Sequence, residues 1–274
     1  MTATQWPVAS YARYSLSAQE ESERLELARR VGEQLDGDHW MIVGGPKSLA
    51  AQLTRITEQR IFDREWSGHD ADMMLREYGP YDNRSIFVAI VDHEGVAAAG
   101  RTIWSPNPQE PTKAEVDLEI DAAGLRSELD LERRFGSLAL WEIATVAIEP
   151  RARQSEVIGW LVGEMRYQEM SHNGLAPSVA IVASAFFRMM QCWGIEIEEL
   201  PGTEVSEYLG VMSQPALLAP GAMPHIRSRG IFARLSDGLI SRLHRPLVAA
   251  EIDLRVPESG HLDPRQFEAL EVAR

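Results

Sequence analysis

An apolar run that stops dead at a proline and resumes as an amphipathic helix limits this chain more than any other feature. Residues 138–148 are apolar on both faces apart from Glu142 and Thr145, the pattern of a strand inside a sheet covered on both sides. Pro150 ends it. The turn that follows carries Arg151, Arg153 and Gln154, and Ser155 stands in the N-cap position. Ile158, Leu161, Val162 and Met165 then recur at helical spacing until His172, Asn173 and Gly174 close the helix. A buried strand feeding a basic turn and a helix start outlines an anion site, because first-turn amides lack internal partners and carry the positive end of the helix dipole.

The next elements follow in a telling order. Residues 177–184 read as a short apolar strand, 185–194 as a helix ending at Gly194, and 195–200 as an alternating strand. This succession resembles the C-terminal half of the GNAT acyltransferases, with Trp193-Gly194-Ile195 where that family often has Leu-Gly-Phe. In the family, the fourth strand leads into a loop of the form Arg/Gln-x-x-Gly-x-Gly/Ala, whose amides hold the pyrophosphate of acyl-CoA. The best register here is Gln154-x-x-Val157-x-Gly159: valine replaces the first glycine, and Glu156 adds a negative charge beside it.

The resemblance implies an α+β fold, an α/β/α sandwich. Its mixed, mostly antiparallel sheet would have splayed parallel central strands and flanking helices. It also implies that the main chain of Val146, Ala147 and Ile148 grips a carrier-linked acyl group, and that Arg151, Arg153, Gln154 and Gly159 hold the carrier arm.

A second, narrower resemblance covers residues 55–200 in order of elements. The stretches EQRIFDREW (58–66) and EYGPYD (77–82), and two strands around the turn at 92–95, are similar to the N-terminal half of the acyl-homoserine-lactone synthases and N-acyl amino acid synthases. Those enzymes carry an Arg/Phe/Trp helix, approximated here by Arg60, Phe62 and Trp66. They also carry a Glu-x-Asp-x-aromatic-Asp stretch, whose end matches Tyr81 and Asp82 while Gly79 replaces its first aspartate. Arg101 matches the arginine after their hairpin, and Glu142 matches a later glutamate. Thr145 stands where an arginine would follow, and no homoserine lactone product is expected. By this resemblance Trp66, Asp82 and Arg101 bind substrate.

Elsewhere the signals are local. Residues 1–16 carry Trp6, Tyr11 and Tyr14 without periodicity and read as an irregular arm. From Ser17 a surface helix has acidic residues early, basic residues late and Gly37 beyond its end. Trp40 to Val43 reads as a short strand, followed by a turn and a helix opening at Pro46; Pro46 before Lys47 rules out a phosphate-binding P-loop. Residues 123–135 read as one helix, 203–212 as a short helix, 213–224 as a loop or lid, 225–245 as a basic, partly amphipathic helix, and 247–256 as the last strand of the sheet. The expected division is an arm and helix over 1–36, an acyltransferase-like core over 37–200, and an extension over 201–274 that completes the sheet and covers the pocket.

Composition narrows the function. A net charge of −14 over 274 residues argues against nucleic acid as the main ligand, since a phosphate backbone needs a dominant positive face. Arg133, Arg134, Arg151 and Arg153 either collect near the anion turn, attracting a phosphopantetheine group or an acidic carrier protein, or lie scattered in solvent. The lone Cys192 excludes an internal disulfide and fits a reducing cytoplasm. No apolar run reaches membrane-span length, the N-terminus lacks a signal-peptide pattern, and the seven histidines show no metal-ligand spacing.

Acyl transfer needs an oriented thioester carbonyl, a stabilised oxyanion and a base for the attacking amine. Main-chain amides supply the first two in the GNAT fold, so a catalytic strand can look like plain core. Glu142, a carboxylate on an apolar strand, is the candidate base; equally, it is a buried ion-pair partner, for example of Arg101. Trp141, Trp160, Phe186, Phe187 and Met189 line an acyl tunnel or fill an ordinary core.

The expected function is N-acyl transfer, without a metal, from acyl-CoA or an acyl carrier protein thioester to the amine of a small molecule. The alternative is a non-catalytic module of the same fold that binds an acyl thioester or a protein partner.

Overall fold

The computed structural model describes residues 14–35, 37–65, 70, 72–153, 156–173 (of Asn173 the backbone only), 176–192, 195–219 and 242. In chain order the elements are α1 (Ala18–Val31), β1 (Glu33–Gln34), β2 (Trp40–Gly44), α2 (Leu49–Glu65) and α3 (Met73–Tyr78), which runs into a 3-10 turn (Gly79–Arg84). There follow β3 (Ser85–Val91), β4 (Val96–Ser105), α4 (Lys113–Asp117), α5 (Ala122–Glu128), α6 (Leu131–Phe135) and β5 (Leu140–Ile148). A 3-10 turn at Pro150–Ala152 leads to α7 (Val157–Asn173), then β6 (Ser178–Ala183), α8 (Ser184–Cys192), β7 (Ile197–Glu199), β8 (Ser206–Tyr208) and β9 (Val211–Leu218).

Among the described residues nine strands form one sheet in the order β1-β2-β3-β4-β5-β6-β9-β7, with β8 paired to β9. Every pairing is antiparallel except β5 with β6. That parallel pair is in register only at Trp141↔Ser178 and Glu142↔Val179. Beyond Glu142, β5 stays on β4 as far as Ile148↔Ala98, while β6 keeps β9 as its partner through Ala183↔Ser213. The two central strands therefore splay after two rungs, in a mixed, mostly antiparallel α+β architecture as expected.

A local irregularity accompanies the parting. Arg101 pairs with Thr145 but Thr102 with Ile143, leaving Ala144 as an extra residue in β5. Such a bulge bends the strand and increases its twist, and this one falls just where β5 leaves β6.

Alternation along the strands makes two cores. Phe87, Ala89, Val91 and Ala99 face α1 and α2, whereas Val88, Ile90, Ala98, Ile143 and Ala180 face α7 and α8. On the first face Ala114 of α4 packs with Leu140, Val179 and Leu217, over the β5–β6 junction. On the second, α7 comes so close to β4 that a Cβ on Gly100 would lie 2.5 Å from Met165 Sδ.

Several expectations change here. The first helix ends at Val31 rather than near Gly37, because Glu33 and Gln34 pair with β2. The second begins at Leu49, not Pro46, and the Pro46 carbonyl instead accepts from Arg55. The single helix over 123–135 is two, broken at Asp130, whose φ of 53° is left-handed. The short helix and loop expected over 203–224 are, in their described part, the β8–β9 hairpin, turning at Leu209 and Gly210. Its second strand lies between β6 and β7. The strand expected over 247–256 and all of the basic helix but Arg242 lie outside the described residues.

Candidate active site

Two polar groups lie on the α2 face of the sheet, on either side of the bulge. The first is built from α2 and β4. Arg55 and Glu58 stand three residues apart on one face of α2, and Arg101 projects from β4 toward them. Arg101 Nη2 lies 2.6 Å from Glu58 Oε2, Nη1 is 2.9 Å from Asp82 Oδ1, and Nη2 donates to the Tyr14 hydroxyl at 2.8 Å. Arg55 binds the other Asp82 oxygen at 2.7 Å, and the Thr145 hydroxyl donates to Glu58 Oε1.

The Arg101 guanidinium also lies against the rings of Tyr78 and Phe87, 5.0 and 4.8 Å from their centroids. Burial alone would lower its affinity for a proton, but Glu58, Tyr14 and Asp82 outweigh burial and hold it charged. Burial pushes the Glu58 carboxyl up, against Arg101 and Thr145, and lifts the Tyr14 hydroxyl to about 12. The two cations and two carboxylates balance and tie α2, the 79–84 turn, β4 and β5 together.

The second group surrounds Glu142, buried at 4% exposure. Its Oε2 accepts the Ala114 main-chain N–H at 3.0 Å, and the Lys113 amide also bonds the carboxyl. Both amides open α4, which is fixed by a capping box between Thr112 and Glu115. Burial raises Glu142 to about 7, opposed by those amides and the Lys113 charge and assisted by Asp117. Tyr78 is fully buried nearby, and burial and Glu142 both raise its hydroxyl. Glu142 is thus not the ion-pair partner of Arg101, because the registers place them apart: Glu142 opposes Ile103, and Arg101 opposes Thr145.

The remaining expected residues have different fates. Val146, Ala147 and Ile148 lie on β5 beyond its last rung with β6. Gly159 is buried in the first turn of α7. Trp66 and Gln154 lie outside the described residues. Arg151 is engaged by Asp92 through two bonds and approaches Glu94 at 3.7 Å, and Arg153 pairs with Glu65. The basic turn is therefore neutralised from within.

Arg133 and Arg134 do not join it. They precede β5, whose nine residues put them roughly 30 Å from the turn that follows it; Arg133 pairs with Asp130 and Arg134 lies over Phe135. Arg60, from the approximated helix motif, reaches Glu21 instead, while Phe62 packs with Tyr14, Tyr78 and Ile103. A hollow of about 280 Å3 beside α5 and α6, lined by residues such as Pro108, Arg126 and Leu138, contains none of these groups.

Spacing alone did not reveal Glu58, Lys113, Asp117 or Tyr208. Only the first left a trace, as the opening residue of the stretch 58–66. Among the described residues no cluster of three or more His, Cys, Asp or Glu side chains could hold a metal ion, and no helix is long and apolar enough to cross a membrane.

No family model matches the chain, and no curated protein matches it. Among solved structures it is similar to the acyl-homoserine-lactone synthase LasI, at 11% identity over 67% of this chain and 91% of that one, with a TM-score of 0.47. It is also similar to the CoA-dependent acyl-homoserine-lactone synthase BjaI with MTA, at 13% identity over 77% and 89%, TM-score 0.43. A third is arylalkylamine N-acetyltransferase 2 from Aedes aegypti, at 11% identity over 59% and 85%, TM-score 0.38.

Proposed function

We propose that the chain is an N-acyltransferase that moves an acyl group from a thioester carrier to the amine of a small molecule. The observation that carries this reading is the pairing of β5 with β6 for two rungs only, with a buried carboxylate, Glu142, on the last of them.

A strand that loses its neighbour leaves every second main-chain N–H facing the gap. The Glu149 N–H bonds to Ala97 on the β4 side, so by alternation the Val146 and Ile148 amides point toward the side that β6 has left. A thioester carbonyl seated there is oriented and its developing oxyanion stabilised. Glu142 takes the proton from the amine as nitrogen attacks the carbonyl carbon. The C–N bond forms, the C–S bond breaks, and the thiolate leaves to be protonated. A carboxyl raised to about 7 suits proton acceptance near neutral pH. In this reading Asp82 and Arg101 shape the acceptor wall.

The engaged state of Arg151 and Arg153 bears on the donor. A pyrophosphate at this turn would compete with Asp92 and Glu65 for them, and Val157 and Glu156 oppose it further. These features favour a donor held through its pantetheine arm, such as a carrier-protein thioester, over one held by a nucleotide diphosphate. They also favour a second reading, a non-catalytic module that binds an acyl thioester without transferring it.

One assay separates the readings: incubation with acyl-CoAs and acyl carrier protein thioesters in the presence of mixed amines, following thiol release and thermal stabilisation together. Thiol release that depends on amine is the expected result. Stabilisation without turnover for every donor leaves the module, and neither stabilisation nor turnover overturns both.

A further inference from the structure

The β8–β9 hairpin, α4 and Glu142 form one hydrogen-bonded unit. Tyr208 ends β8, and Leu209 and Gly210, with φ of 49° and 78°, return the chain into β9. The Tyr208 hydroxyl donates to Asp117 on α4. Lys113 donates to the same carboxylate, reaches Glu77 Oε2 at 3.0 Å, and lies 3.4 Å from the Tyr208 oxygen. It is a buried ammonium, with its side chain only 4% exposed, over the Tyr78 ring at 5.2 Å. The main chain at Lys113 and Ala114 then holds Glu142. One short helix thus grips the Glu142 carboxyl with its backbone and the hairpin with its side chains.

The groups acting on Glu142 can be named element by element. Lys113 and Asp117 face it from α4, with opposite effects on its charge. Tyr78 comes from α3, Tyr81 and Arg84 from the 3-10 turn, and Tyr208 from β8. Glu77, half toward solvent, pairs with Lys113.

Resting on the reading of Glu142 as the base, we infer that Lys113, Asp117 and Tyr208 are its positioning residues. The Lys113–Asp117 pair adjusts the charge state of the buried carboxyl, and Tyr208 latches the hairpin to that pair. Seating of the hairpin and readiness of the base are then one event. A displaced hairpin loosens Asp117, frees Lys113 to move toward Glu142, and alters how readily Glu142 takes a proton.

The test uses the full-length chain with Lys113→Met, Lys113→Arg, Asp117→Asn and Tyr208→Phe. The Glu142 titration is followed by carboxyl carbon NMR, its resonance assigned by loss in Glu142→Gln. Removing a neighbouring cation disfavours ionisation and removing an anion favours it. K113M should therefore raise the midpoint and D117N lower it, each by about one pH unit, while K113R stays near the parent. A merely structural role predicts no opposition of sign, so shifts in the same direction, or none in variants that retain the parent's near-ultraviolet dichroism, overturn the assignment.

For the latch, Tyr208→Phe should speed amide exchange in residues 206–212 and at Ala114 together; faster exchange in the hairpin alone overturns it. The pH profile of kcat/KM should follow the same midpoints. Opposed midpoints with no amine acylated by any donor support the positioning and overturn only the transferase reading.

Discussion

A carboxyl that keeps its proton in the folded chain leaves a signature in stability. Glu142 rises from the ordinary 4.5 to about 7. Below pH 4.5 both folded and unfolded chains hold this proton; between 4.5 and 7 only the folded chain does, so stability falls as pH climbs through that window. The change is about 3 kcal/mol for this group, and Glu58, also raised by burial, adds to it in the same direction. Glu142→Gln should flatten the fall, leaving the variant near the parent at pH 5 and more stable at pH 8 in urea titrations. A parent equally stable at both values would contradict the burial of these carboxyls. In turnover, Glu142→Gln should cost about 10²- to 10⁴-fold in kcat and abolish the rise of rate through pH 7. Arg101→Met strands the buried Glu58 without its cation, while Asp82 keeps Arg55, and chemical unfolding should register a loss of about 3–5 kcal/mol.

These residues were legible in unequal measure. Glu142 declared itself as the carboxylate in an apolar strand, and Arg101 and Asp82 through a resemblance of motif. Arg151 was legible as a cation but not as a neutralised one, because its partner Asp92 lies 59 residues back, in the β3–β4 turn. Lys113 and Tyr208 meet across 95 residues, and no periodicity encodes such a meeting.

At the level of elements, the interiors were readable and the joints were not. The strand over 140–148 and the helix after it follow from apolar pattern and Pro150, since most of their residues are buried. The break at Asp130 and the turn at Leu209 each place a non-glycine residue in the left-handed region, where sequence gives little warning. Leu209 is costly there, so Leu209→Asn should stabilise the chain by about 1 kcal/mol in thermal unfolding, the hairpin remaining intact. Gly100 was silent in sequence, yet it sets how near α7 lies to β4. Gly100→Ala drives a methyl toward Met165 Sδ and the Thr145 carbonyl; a loss of about 1–3 kcal/mol is expected, and an unchanged denaturation midpoint would mean that the helix can simply back away.

Taken whole, the molecule depends on a late piece of chain. β9 gives β6 a six-residue ladder and pairs with both β7 and β8, so a chain ended after residue 204 should show no cooperative unfolding transition. That dependence was not visible beforehand, since 213–224 read as a loop lying over the fold, whereas 211–218 form a strand within it.

Arg242 extends the same logic further along. Its guanidinium reaches Glu164 at 2.7 Å, on α7, and both oxygens of Glu33 at 2.7 Å, beside the opposite edge of the sheet. Glu164 is almost wholly buried, and this counter-charge is encoded 78 residues after it. During synthesis α7 leaves the ribosome well before this cation, so the Arg242 clasp on Glu164 and Glu33 is added to a helix already made. The tie between α7 and β1 that Arg242 makes is thereby closed only after residue 242 has been added to the chain.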